Sequence, residues 1–174
     1  MTTEPQPGDF FVTKTGGPWL DRTAAWAIRW GTDSPVNHAG LYVGNGVIVE
    51  AISKVKYGSV DEYPDAIWST GRLPVHLTPN AEQRKLIVNR AHDLIGRKYS
   101  WLDIIAIGLA QRRLGATVNS RTWWARRVSN DGHLICSQAV DLEYQAGSIA
   151  LFQGRLPGLV SPQDLYELLL PEAD

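Results

Sequence analysis

Asn37-His38-Ala39-Gly40-Leu41-Tyr42-Val43-Gly44-Asn45-Gly46-Val47-Ile48-Val49-Glu50-Ala51 reads as a β-hairpin, two alternating apolar runs on either side of Gly44-Asn45-Gly46. His38 opens the first run and Glu50 closes the second. Side chains alternate faces along a strand, so the two residues share a face only if the intervening loop holds an odd number of residues. A three-residue loop, a type I turn closed by Gly46 in the left-handed region, meets this condition. It pairs Val43 with Val47, sets Glu50 opposite Gly40 and makes His38 its diagonal neighbour, about 7–8 Å away at the backbone. A two-residue Asn-Gly turn without a bulge would send the pair to opposite faces.

Working outward, Asp9-Phe10-Phe11-Val12-Thr13 reads as a first strand, and Val55 to Val60 and Leu73 to Leu77 as weaker ones. Leu20, Ala24, Ala27 and Ile28 have helical spacing between Pro18 and Trp30, and Gly31 stops that helix. Thr78-Pro79 supplies an N-cap and a first-turn proline for a helix running to Gly96. Ser100-Trp101-Leu102-Asp103 resembles a capping box and starts a helix ending near Gly115. Further helices start at Cys136, ending near Gly147, and at Ser161-Pro162-Gln163-Asp164, running through Leu170. Strands followed by helices predict an α+β fold. With no repeat or linker, residues 1–174 read as a single domain.

A net charge of −1 gives no global field to recruit nucleic acid or an anionic membrane. One cysteine rules out an internal disulfide and fits a reducing compartment. Residues 1–8 lack a basic region followed by an apolar stretch, so no secretory signal is expected and a cytoplasmic location is. The most apolar segment, Trp101 to Ala110, is interrupted by Asp103 and too short to span a bilayer, so no stable membrane insertion is expected.

Cys136 follows the loop Asn130-Asp131-Gly132-His133 and opens the run Cys136-Ser137-Gln138-Ala139-Val140. A thiol in the first turn of a helix sees unpaired backbone N–H groups and the positive end of the dipole, which favour the thiolate. With His38 as a base and Glu50 to orient it, the chain carries the parts of nucleophilic catalysis. Each part also has a plainer reading. A lone cysteine in an apolar helix is usually a small core residue, and a histidine at a strand start is usually structural. Glu50 is the better clue, because a carboxylate ending an apolar strand is costly to bury unpaired; its plain reading is a strand-end residue facing water. His133 is a second candidate base. His76, His92 and His133 show no metal-ligand spacing with one another or with Cys136, so no metal and no cofactor is assigned. Arg121-Thr122-Trp123-Trp124-Ala125-Arg126-Arg127 reads as an exposed segment anchored by two tryptophans, with binding of an anionic or glycan ligand as the alternative.

Taken in order, these segments resemble the circularly permuted branch of the NlpC/P60 superfamily of papain-like cysteine hydrolases, the YiiX/YebB-like group. Pro7-Gly8-Asp9-Phe10 is similar to its opening strand, Asn37 to Gly44 to its histidine segment and Val49-Glu50-Ala51 to its glutamate segment. Ala91 to Trp101 is similar to its tyrosine-tryptophan segment, Ile135-Cys136-Ser137-Gln138 to its cysteine segment, and Val160 to Leu165 to its closing one. In unpermuted members tyrosine and cysteine come first and histidine later, so His38 before Cys136 is the permuted order. The resemblance implies a permuted papain-like fold, an antiparallel sheet with a helical part. It also implies Cys136 as nucleophile, His38 as base, Glu50 as the polar third residue and Tyr99 as a residue on the oxyanion side. One departure is the long interval between Tyr99 and Cys136. The implied activity is hydrolysis of an amide bond in a peptide or acyl small-molecule substrate, cell-wall stem peptides included. A lipid thioesterase or acyltransferase, or a binding or structural module that kept the fold, are the alternatives. A cell-wall substrate without a secretory signal requires delivery by lysis or another carrier, such as a phage particle.

Overall fold

The computed structural model describes residues 4–14, 35–52, 54–98, 136–154 and 160–171. Five strands among them form one antiparallel sheet: β1 (Phe10–Thr13), β2 (His38–Gly44), β3 (Val47–Ala51), β4 (Val55–Ser59) and β5 (Ile67–Trp68). Their spatial order is β4-β3-β2-β1-β5. Three α-helices follow, α1 (Ala81–Leu94), α2 (Cys136–Ala146) and α3 (Pro162–Glu167), and two short 3-10 turns span Val60–Glu62 and Val75–Leu77. The architecture is α+β, as the order of strands and helices predicts. Among the described residues no helix is long and apolar enough to cross a membrane. The helices expected at 18–30 and 100–115 lie outside the described residues.

The central hairpin keeps the expected relation between its ends but reaches it differently. Gly40 pairs with Glu50, Leu41 with Val49 and Tyr42 with Ile48, whereas Gly44, not Val43, pairs with Val47. The turn therefore holds two residues, Asn45 and Gly46, both at positive φ (54° and 74°). That combination is the type I′ turn, whose twist suits a two-residue hairpin. The register shifts between Tyr42 and Gly44, where Val43 is the extra residue of a bulge. The bulge supplies the parity that the three-residue loop was expected to supply, so His38 and Glu50 still share a face.

Three further expectations are corrected. Leu73 to Leu77 is not a strand but leads into a 3-10 turn, with Leu77 N–H donating to Pro74 O at 2.9 Å; Pro74 has no N–H to give to a ladder. Helix α1 is capped by Asn80 rather than Thr78: Asn80 Oδ1 accepts from Gln83 N–H (2.9 Å) while Gln83 Oε1 accepts from Asn80 N–H (3.0 Å). The Thr78 hydroxyl instead donates back to Pro74 O. Helix α3 starts where expected, with a capping box between Ser161 and Asp164, but ends at Glu167 rather than Leu170. Strand β5, two residues long, was not anticipated.

One face of the sheet carries Phe10, Val12, Ala39, Leu41, Val49, Ala51 and Val55, all buried in a single core with Ile87, Ala91 and Leu94 of α1 and Ala139, Val140 and Tyr144 of α2. Burying each Val, Leu, Ile or Phe side chain contributes about 1.5–3 kcal/mol before conformational entropy is counted. Nearly every residue of α2 from Cys136 to Tyr144 is buried, so this helix lies inside the domain. The chain entry is clasped to it: Tyr144 O–H donates to Gly8 O at 3.0 Å. Asp9 ties the same entry down, accepting from Arg84 Nη1 of α1 (2.8 Å) and from the Thr70 hydroxyl (2.6 Å). The Gly8-Asp9 pair at the head of β1 is thus a structural anchor.

Candidate active site

Alternation along β1 to β4 puts Phe11, His38, Gly40, Glu50 and Lys56 on the face opposite the main core. Glu50 sits directly across from Lys56 on one side and Gly40 on the other. Gly40 leaves room there: a Cβ on it would come within 2.7 Å of the Phe11 ring. That space holds the Phe11 ring, whereas the Glu50 carboxylate lies over Gly58, where a Cβ would come within 2.9 Å of Oε1; Glu50 Oε2 lies 2.9 Å from His38 Nε2. His38 and Glu50 are each only 2 % exposed, so the plain reading of Glu50 as a solvent-facing strand end is excluded.

Two residues that the sequence did not single out complete the carboxylate's surroundings. Tyr63, just after the 3-10 turn at Val60–Glu62, donates its phenol O–H to the same Oε2 atom. Lys56 Nζ lies 3.0 Å from Oε1. Phe11 meets the imidazole edge-on, with centroids 6.1 Å apart, and Tyr63 lies tilted against it at 5.4 Å.

Helix α2 packs on β2, and its first residue, Cys136, acts electrostatically on His38. Burial by itself would lower the His38 pKa. Interactions with Cys136 and Glu50, through hydrogen bonding and charge, outweigh burial and lift it from 6.5 to about 9. Burial would raise Glu50, but the bonds from His38 and Tyr63, the His38 charge and Lys56 hold its carboxyl down at about 2. Burial and the neighbouring carboxylate push the Tyr63 phenol far above its ordinary value. At neutral pH the arrangement is an imidazolium held between a carboxylate and a sulfur.

Cys136 is itself only 2 % exposed and packs within the main core. Burial alone fits a core thiol, but a core thiol has no need of a histidine partner. The structure brings Cys136, His38 and Glu50 together. Tyr99, His133 and the segment Arg121 to Arg127 lie outside the described residues. His92 is remote from this group, its Nδ1 bonded to Tyr57 O–H at 2.9 Å on the surface. Lys56 could have been found from the alternation of β4 had the register with β3 been known. Tyr63 follows an acidic turn and carries no local signal.

Among the described residues no group of three or more His, Cys, Asp or Glu side chains is placed to hold a metal ion, and no chemical step below passes through one. No protein-family model matches the chain, and no curated protein matches it. Among solved structures, one that it resembles is the crystal structure of metalloprotein YiiX from Escherichia coli O157:H7. The match spans 89 % of this chain and 78 % of that one, at 19 % identity and a TM-score of 0.53, so the chain is similar to YiiX in fold.

Proposed function

We propose that this protein is a cysteine hydrolase of permuted papain-like fold that cleaves amide bonds through Cys136, His38 and Glu50. The single observation that carries the reading is a buried histidine 2.9 Å from a buried carboxylate and under the influence of the chain's one thiol. A nucleophile, a base and a group that orients the base make up that arrangement.

In this reading the Cys136 S–H proton already rests on His38 at neutral pH, and the thiolate of that pair attacks the substrate carbonyl carbon. The tetrahedral intermediate collapses as the imidazolium returns its proton to the leaving amine, which leaves a thioacyl bond on Cys136. Neutral His38 then takes a proton from water, the hydroxide attacks the thioester, and the acid product departs as the thiolate leaves, which restores the thiolate–imidazolium pair. Glu50 keeps the imidazole in one orientation and offsets its charge at each protonated stage. Tyr99, by the family resemblance, would stand on the side of the developing oxyanion.

The resemblance of the sequence segments supports a peptide-type amide, cell-wall stem peptides included. Purified protein is expected to release product from short acyl-peptide or stem-peptide substrates, and Cys136→Ala to abolish release. Cys136-dependent release of fatty acid without peptide cleavage, together with avid liposome binding lost in a Trp123→Ala/Trp124→Ala variant, would favour a lipid acyl substrate. No turnover of either class, with Cys136 inert to thiol reagents, would leave a binding or structural module.

A further inference from the structure

Three donors converge on the Glu50 carboxylate, and they do not pull the same way. His38 Nε2 and the Tyr63 phenol both bond Oε2, whereas Lys56 Nζ sits 3.0 Å from Oε1 on the neighbouring strand. Lys56 is part-exposed and its ammonium is mobile on a long stem. Without a second tie on Oε2, the carboxylate could turn toward Lys56 and leave the imidazole. Tyr63 supplies that tie. Its ring is wedged against Phe11 (centroids 5.2 Å apart) as well as against His38, so the hydroxyl is delivered from a fixed position.

We propose that Tyr63 is a positioning residue of the Cys136–His38–Glu50 centre: its O–H pins Oε2 of Glu50 against His38 Nε2, and its ring closes over the imidazole. This assignment rests on the hydrolase reading and adds to it a residue that acts through Glu50 rather than on substrate. The charged and titratable groups facing the pair are Lys56 from β4, Cys136 from α2, and Tyr63 with Glu62 from the segment after β4.

Tyr63→Phe keeps the ring and removes only the donated hydrogen bond, so a role in packing alone would leave this variant unchanged. Two readouts in the full-length protein need no substrate: the NMR titration of the His38 ring protons, and the rate at which iodoacetamide alkylates Cys136 at pH 7. In Tyr63→Phe the His38 midpoint is expected to fall by about one pH unit, the order set by a hydrogen bond to a charged group. Alkylation is expected to slow several-fold. Tyr63→Leu, which also removes the ring, should show at least as large a fall. A midpoint in Tyr63→Phe that stays at the wild-type value, or rises, overturns the assignment while leaving the hydrolase reading intact, provided His38→Ala and Glu50→Gln still slow alkylation. Alkylation indifferent to all three substitutions overturns the hydrolase reading itself.

Discussion

Replacing Glu50 by glutamine keeps the shape of the side chain and removes the charge on which His38, Tyr63 and Lys56 converge. The new amide can present one oxygen to His38 Nε2 and Tyr63 O–H. Its NH2 group then faces Lys56 Nζ across the 3.0 Å now spanned by an ion pair, donor against donor. Glu50 is 2 % exposed, so water cannot make good the loss. Removing one partner of a buried ion pair costs about 3–5 kcal/mol. In a domain of this size that is a fall in Tm of roughly 6–20 °C. The loss should depend on pH in a defined direction. His38 is raised from 6.5 to about 9, so its stabilisation is complete below pH 6.5 and is lost as pH rises through 9. Glu50 is lowered from 4.5 to about 2, so its stabilisation is complete above pH 4.5 and is lost as pH falls through 2. The gap between wild type and Glu50→Gln should therefore be widest between pH 4.5 and 6.5 and narrow toward pH 9. Thermal melts followed by circular dichroism at pH 5, 7 and 9 measure it. A gap that is absent, or constant across these pH values, would refute the ion-pair reasoning.

Gly40→Ala adds a methyl 2.7 and 2.9 Å from two atoms of the buried Phe11 ring and 2.9 Å from the Val49 carbonyl. Neither neighbour is a flexible end, so the substitution should destabilise by about 1–3 kcal/mol, and urea unfolding that matches wild type would count against the sheet register. Asp141 is buried on α2 and its carboxyl is raised to about 6 by that burial, partly offset by the bond from Gln145 Nε2. The folded state therefore favours its neutral form, and stability falls as pH rises from 3.8 through 6. Asp141→Asn should match wild type near pH 4 and exceed it at pH 7 by about 1–3 kcal/mol; equal denaturation midpoints at both pH values would contradict this.

The hairpin from His38 to Ala51 was legible because two alternating runs around Asn45-Gly46 leave few other folds for that stretch, and the shared face of His38 and Glu50 followed from parity. The loop was misread because a bulge at Val43 and a three-residue turn satisfy the same parity, and apolar alternation does not separate them. The start of helix α3 at Ser161-Pro162-Gln163-Asp164 was legible because the bonds that cap it are local. In the same way, Asn80 displaced Thr78 as a cap because Gln83 stands three residues after Asn80. Strand β5 escaped because two residues carry no period. The site divides along the same line. Cys136, His38 and Glu50 stood out by residue type at the ends of their elements. Tyr63 and Lys56 reach Glu50 across the sheet, and what makes them partners is a register that no local pattern encodes.

The central claim is that Cys136 is activated by His38, and its alkylation by iodoacetamide as a function of pH, followed by intact mass in wild type and His38→Ala, tests this most directly. The expected result is a wild-type rate that stays high at pH 5–6, where an ordinary thiol of pKa about 8.5 is almost fully protonated. The rate in His38→Ala should drop sharply there and recover only as pH approaches that of a free thiol. A wild-type rate that follows an ordinary thiol titration, or no labelling at all, unchanged in His38→Ala, would contradict the claim and return Cys136 to the role of a core residue.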